Sequence, residues 1–242
     1  MVSRQTVVMI LLFFAILVSA DCILVYTENN EYRFLTKPLL MPVLLVLLFY
    51  QTKKTRHPIS KLIIFSAVFF SWLGDIFLMK ENSDAFFITG LSCFLAAHIC
   101  YIIFFIRLMP FKQRSALLIF VSGLIIMMYM GTLLFILRRK LGDMRWPVVI
   151  YSGVISLMLL AAVNTFVSKK IGKISYRFLI PGAIFFVISD SLLALNKFDV
   201  HETSVDILVM LTYVVAQFLI VFGAIKFIKN KSRAKAPGID TY

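Results

Sequence analysis

The sequence predicts an all-α, polytopic membrane protein of eight transmembrane helices, and three observations carry that prediction. Of its 242 residues, 61% are hydrophobic and 15% charged, with a mean hydropathy of +0.93; a soluble domain is about half apolar and a quarter charged. The apolar residues gather into eight runs, each near the roughly 20 residues that a helix needs to cross a bilayer. Basic residues are dense in every second connection and sparse in the others. Lipid offers the backbone no hydrogen-bonding partner, so each run has to be helical. The net charge of +13 is scattered through short loops, which excludes nucleic acid as the partner. Cys22, Cys93 and Cys100 all lie in apolar runs at no metal-ligand spacing, and their number and placement give no disulfide framework.

In chain order, the first run covers 7–25 behind Arg4. Its Val18-Ser19-Ala20 resembles a small-residue cleavage site, but the run reads as a span; its removal would leave seven in the same order. The second, 35–50, is short and starts with Pro38 in its first turn, where a missing N–H is tolerated. Then come 60–79, 85–106, 116–137, 147–167 (entered through Arg145-Trp146-Pro147), 178–195 and 205–228. Residues 1–228 make one transmembrane domain, and the basic stretch KNKSRAKAPGIDTY, 229–242, reads as a disordered tail. The connections are short, so consecutive helices are antiparallel neighbours. One face carries 17 Lys and Arg residues and the other 8, so the excess of positive charge on the cytosolic side puts both termini in the cytosol. An offset of 115 pairs Phe70 with Phe185, Asp75 with Asp190, Leu78 with Leu193 and His98 with Tyr213. It relates spans 3–4 to spans 7–8 as parts of two parallel four-helix halves.

The stretches FFSWLGDIFLM (69–79) and FFVISDSLLAL (185–195) each hold a carboxylate inside an apolar run. An ionisable residue there costs on the order of 2.5–3.5 kcal/mol on insertion scales and normally faces a cavity with a function. Asp75 and Asp190 lie four or five residues before the outer ends of their spans, about 6–8 Å inside the boundary. Asp21 lies at a similar place in the first span, but with no motif around it reads as a side chain reaching back to water. His98 and Tyr101 share one face of span 4, and Tyr213 and Gln217 one face of span 8. Lys37 and Arg145 open spans 2 and 6 on the outer side, Asn196 closes span 7, and Ser71 is one turn before Asp75. The abundant phenylalanines read as lipid-facing bulk. Low dielectric disfavours a charged carboxyl, and a neighbouring negative charge does so further. Two such acids suit a general acid paired with a base that activates water. Lys37 and Arg145 suit an anionic lipid phosphate, so the residues point to a lipid-handling acid–base site without naming its substrate.

Lys37-Pro38-Leu39, Leu73-Gly74-Asp75 with its FLM, Phe87 to Leu91, His98-Ile-Cys-Tyr101, Arg145-Trp146-Pro147, Phe186 to Asp190, Leu195-Asn196-Lys197-Phe198 and Tyr213 to Leu219 occur in one order. In that order and spacing the chain resembles the YhhN-like family of eight-span membrane proteins, from Lys37 to about Gly223, and its animal branch most closely. The resemblance implies a lysoplasmalogenase-type activity: hydrolysis of the vinyl ether bond of lysoplasmenylethanolamine or -choline to a fatty aldehyde and glycerophosphoethanolamine or -choline. It implies no cofactor and no metal, a lysophospholipid as partner, and the endoplasmic reticulum as location. One of Asp75 and Asp190 would be the proton donor and the other the base or cation stabiliser, with His98, Tyr101, Tyr213 and Gln217 orienting water and substrate. A proton-coupled or lipid transporter is the alternative, since intramembrane acids in a repeated architecture also suit a carrier; against it, Pro181-Gly182 has no counterpart at Ser66-Ala67. An intramembrane aspartyl protease is disfavoured because Trp72 stands where its GxGD signature needs glycine.

Overall fold

The computed structural model describes residues 4–55, 57–80, 84–108, 115–168 and 171–233. Eight helices in it are long and apolar enough to cross a membrane. They are α1 (Arg4–Tyr26), α2 (Asn30–Thr52), α3 (Pro58–Leu78), α4 (Asp84–Leu108), α5 (Ala116–Leu137), α6 (Arg145–Asn164), α7 (Gly172–Val200) and α8 (Thr203–Arg233). Among the described residues there is no strand, as an all-α membrane domain requires. Local chemistry sets several ends. Pro58 stands in the first turn of α3, and the Ser115 hydroxyl accepts the Leu118 N–H at 3.2 Å to cap α5.

Three boundaries differ from the sequence reading. First, α2 begins at Asn30, so Pro38 and Pro42 both lie inside it. Pro42 cannot donate to the carbonyl of Pro38, and that freed carbonyl accepts the Trp72 indole N–H from α3 at 2.8 Å. Unsatisfied backbone is costly in hydrocarbon, so this side chain is what lets a proline stay in mid-helix. Trp72→Phe is expected to lower stability by about 1–3 kcal/mol, read as an earlier midpoint of detergent-induced unfolding.

Second, α7 continues past Leu195 through a π-helical turn, Asn196–Val200, which places Asp190 ten residues from the helix end. The Asn196 amide holds this extra turn: it donates to Asp206 Oδ1 at 2.8 Å and to the Glu202 carbonyl at 3.1 Å, and accepts the Glu202 N–H at 2.8 Å. Third, α8 runs through Arg233, so the start of the tail, 229–233, is helical. The rest of the tail, 234–242, lies outside the described residues, as do Arg56, Lys112, Arg114, Lys169 and Lys170 of the charge count.

The helices pack in a pattern that repeats. Neighbours meet in sequence in each half, α1–α2–α3–α4 and α5–α6–α7–α8; the two sets touch through α4 with α6 and α2 with α8, and also through α1 and α3 with α8, which have no counterpart across the repeat among the main contacts. α1 packs on α2 and α8, with Phe14 and Leu17 in the core. The closest helix approaches use glycine, as is usual in membranes. A Cβ on Gly74 would lie 2.6 Å from the Phe94 ring, and one on Gly182 would lie 2.7 Å from Ile220 and 3.1 Å from the Ala216 carbonyl oxygen. The first contact locks α3 to α4, the second α7 to α8. These two pairs carry Asp75 and Asp190.

Candidate active site

α3 presents Asp75 and α7 presents Asp190 to one cavity of about 90 Å³. Arg33 and Lys37 from α2, Phe94 from α4, and Asp206 and Tyr213 from α8 also line it. Asp75 is 3% exposed, and the Tyr213 hydroxyl donates to its Oδ2 at 2.8 Å. Behind Tyr213 the network continues inward. Gln217 donates to Ser71 Oγ at 2.9 Å and, at 3.4 Å, to the Tyr213 oxygen, while its Oε1 accepts the Tyr101 hydroxyl at 2.6 Å. Tyr101, Gln217 and Ser71 are fully buried, so their hydrogen bonds have no water to fall back on and hold Tyr213 in place.

Asp190 has its own support. The Tyr151 hydroxyl of α6 donates to its Oδ2 at 2.5 Å, and His98 Nε2 of α4 lies 3.3 Å from the same oxygen and 2.8 Å from the Tyr151 oxygen. His98 Nδ1 is 3.2 Å from Met158 Sδ, and the Phe186 ring meets the imidazole edge-on at 4.7 Å between centroids. The two supports are crosswise equivalents. Asp75 is held from α8 by Tyr213 and Asp190 from α4 by His98, and the offset of 115 exchanges Asp75 with Asp190 and His98 with Tyr213. Rings of Phe94, Phe186 and Tyr213 meet edge to face beside the site, with centroids 5.6–6.4 Å apart. Phe94 and Phe186 therefore shape the site, contrary to the reading of phenylalanine as lipid-facing bulk.

Asp21 is also corrected. It does not reach water: it is fully buried, accepts the Thr36 hydroxyl at 2.7 Å and pairs with Arg33 at 3.7 Å. It anchors an arginine of the cavity wall, and Lys37, Asp21 and Asp190 are all close enough to interact electrostatically with Asp75.

Of the residues singled out from the sequence, Asp75, Asp190, Lys37 and Tyr213 line the cavity directly. His98 bonds Asp190, and Tyr101 and Gln217 back Tyr213. Asn196 is brought to an adjoining vestibule, but its amide is committed to the α7–α8 turn. Arg145 is not brought in: it is exposed at the start of α6 and does not line this cavity. The sequence reading passed over Arg33 and Tyr151. Arg33 lies four residues before Lys37, one turn away on the same helix face, a spacing that was visible. Tyr151 carried no signal beyond a hydroxyl inside an apolar run.

A vestibule of about 450 Å³ continues from the cavity past Leu78, Leu193 and Asp206 to the loop side, where Lys80, Lys197, His201 and Glu202 line it. On the other side Asp190 also opens on a narrow, mostly apolar space of about 30 Å³ bounded by α4, α5 and α6. No group of three or more His, Cys, Asp or Glu placed to hold a metal occurs among the described residues.

Fold and site together define an eight-span membrane protein with two supported carboxylates on one cavity, polar on one side and apolar on the other. A model described as the YhhN family matches residues 32–224, which takes in both acids and their partners, and the chain belongs to that family. It is similar to human lysoplasmalogenase TMEM86A, 30% identical over 175 residues, covering 70% of this chain and 68% of that protein. It is also similar to the bovine protein of the same name, 29% identical over 180 residues with 70% and 68% covered. No solved structure matches the chain.

Proposed function

We propose that this protein is a lysoplasmalogenase-like hydrolase that cleaves the vinyl ether bond of lysoplasmenylethanolamine or -choline inside the membrane. The observation that carries the reading is that Asp75 and Asp190 open on one cavity between a cationic wall and an apolar outlet. That is the polarity of a lysolipid. Its phosphate lies against Arg33 and Lys37, its glycerol and head group extend into the vestibule, and its alkenyl chain points to the apolar side.

Asp190, the acid that faces the apolar outlet, protonates the outer carbon of the vinyl ether. The ether oxygen then carries the charge as an oxocarbenium ion next to the carboxylates. Asp75 takes a proton from water as it adds to the oxygen-bearing carbon. The hemiacetal collapses when Asp75 returns a proton to the departing glycerol oxygen and Asp190 recovers one from the hemiacetal hydroxyl. One water is consumed and both acids end as they began. Reversed acid and base roles in the second step follow the logic of glycosidase carboxylates. Tyr213, Tyr151 and His98 are positioning residues. No cofactor takes part. The uneven spread of Lys and Arg supports cytosolic termini, and the family resemblance supports residence in the endoplasmic reticulum.

The deciding experiment incubates the purified protein with lysoplasmenylethanolamine in deuterated water. Release of fatty aldehyde with one deuterium on the carbon next to the carbonyl is expected, because that position receives the proton in the first step. A well-folded protein that releases no aldehyde from this substrate, yet moves a lysolipid or protons across a vesicle membrane, would establish the carrier instead.

Arg33→Gln and Lys37→Gln are each expected to raise KM for lysoplasmenylethanolamine about tenfold or more with little change in kcat. A hydrogen bond to a charged group is worth roughly 1.5–3 kcal/mol, and binding shared by ground and transition states appears in KM alone. Steady-state kinetics in mixed micelles read both constants; a fall in kcat at constant KM would remove these residues from phosphate binding. Arg145→Gln serves as the comparison and leaves both constants near wild type.

A further inference from the structure

The helices α5 and α6 leave a groove between them of about 680 Å³, open to the lipid side and lined by Gly123, Met127, Gly131, Gly153, Leu157 and Leu160 among others. Among the described residues, no charged one lines it. It shares Met130, Leu134 and Ser152 with the narrow apolar space beside Asp190 and Tyr151. The polar vestibule, the acid cavity, the narrow apolar space and the groove therefore adjoin one another in a row, the last two meeting at Ser152, and the row ends on the lipid side.

Two further features set this groove apart from ordinary lipid-facing surface. A Cβ on Gly123, Gly131 or Gly153 would meet nothing within 4 Å, whereas Gly74, Gly90, Gly182 and Gly223 are each pressed against a neighbouring helix. Glycine inside a helix costs up to about 1 kcal/mol relative to alanine, and at these three positions no helix contact offsets that cost. What they provide is width. The groove also has the right direction. The start of α6 and the end of α5 pack with Ala194, Leu195 and Phe198 of α7 at the vestibule end. From Val149 to Leu160 the groove then runs about 16 Å along α6 into the membrane.

We propose that the α5–α6 groove is the binding site for the hydrocarbon chain of the lysolipid, which enters sideways from the leaflet with its vinyl ether stopping at Asp190. This rests on the hydrolase reading for the identity of the lipid, and on continuity with the acid cavity for the place of the chain. Met130, flexible and apolar, and Ser152 form the threshold, which widens by side-chain rotation as the chain passes. Substrate thus reaches the acids from within the bilayer, while water and head group occupy the opposite, polar end.

The test uses a saturated 1-O-alkyl lysophosphoethanolamine with a photoactivatable diazirine at mid-chain, which binds without being cleaved. Irradiation of the wild-type protein in vesicles, followed by peptide mass spectrometry, is expected to label 123–134 and 149–160, and excess unlabelled lysolipid is expected to remove that label. Labelling spread over lipid-facing helices in proportion to exposure and unaffected by competitor overturns the proposal. Gly153→Trp fills the groove and is expected to shift kcat/KM in favour of short alkenyl chains over long ones by on the order of tenfold. Equal rates at all chain lengths relative to wild type, or an equal loss at all of them, overturns it. Efficient disulfide cross-linking between copies of Gly131→Cys in native membranes also overturns it, since a second copy would then cover the groove. Competed label in the groove without aldehyde release keeps the chain site and discards the hydrolase; aldehyde release with label elsewhere does the reverse.

Discussion

Asp190→Asn and Asp75→Asn each lower kcat for aldehyde release by about 10²–10⁴-fold, the usual worth of a positioned general acid or base. Both substitutions preserve side-chain volume. In each case the amide oxygen still accepts the supporting tyrosine hydroxyl, from Tyr151 or from Tyr213, so the fold is expected to survive. The double variant loses little more than either single one, because the two carboxylates serve one turnover as a unit and the losses of such residues do not add. The measurement is single-turnover release of aldehyde from lysoplasmenylethanolamine, with thermal unfolding run alongside. Activity near wild type in either folded single variant would remove that carboxylate from the chemistry. Tyr151→Phe offers a graded check. It removes a hydroxyl that touches Asp190 rather than substrate, so kcat falls less than in Asp190→Asn while KM holds.

Gly74→Ala produces a second large loss through geometry alone. The added methyl carbon would lie 2.6 Å from Phe94 Cδ2 and Cε2, a distance at which something has to move. Phe94 is itself held edge to face against Phe186 and Tyr213, so its ring has nowhere easy to go, and α3 moves instead. The stability cost is that of overpacking, about 1–3 kcal/mol. Asp75 is the next residue and moves with the backbone away from Tyr213. A displacement near 1 Å at a reacting group costs roughly 100-fold in rate. The expected signature is a folded, slightly less stable protein that releases aldehyde about 100-fold more slowly. Unchanged kinetics would mean that the α3–α4 contact does not position Asp75.

The relation between sequence and site explains why some of these residues were legible and others were not. Asp75 and Asp190 stood out because a carboxylate inside an apolar run is expensive whatever surrounds it. His98, Tyr213 and Gln217 were legible for the same reason, being polar groups at helical spacing in lipid-spanning segments. Arg145 and Asn196 looked equally functional, yet one is exposed at a helix start and the other spends its amide on a turn. Asp21 looked dispensable and is fully buried against Thr36 and Arg33. A residue's cost in lipid is a property of its chemistry. Whether it faces lipid, water or a partner depends on how its helix is rotated about its axis.

The amino-acid sequence by itself determined that the chain is all-helical, that it has eight segments fit to cross the membrane and where those segments lie, with ends that differ by up to about six residues. It also determined which two acids had to be accommodated. These follow from one-dimensional facts: the length of apolar runs against the thickness of a bilayer, and the obligation of every peptide group to bond within its own helix. Only the tertiary structure decided which side chains meet. It brought Tyr151 to Asp190 and Tyr213 to Asp75 across helices far apart in the chain, turned Arg33 rather than Arg145 toward the acids, gave the Pro38 carbonyl to Trp72, and left the α5–α6 groove open. Those outcomes depend on helix rotation and on close approaches at single glycines. They are set by packing between helices, which no local pattern in the chain encodes.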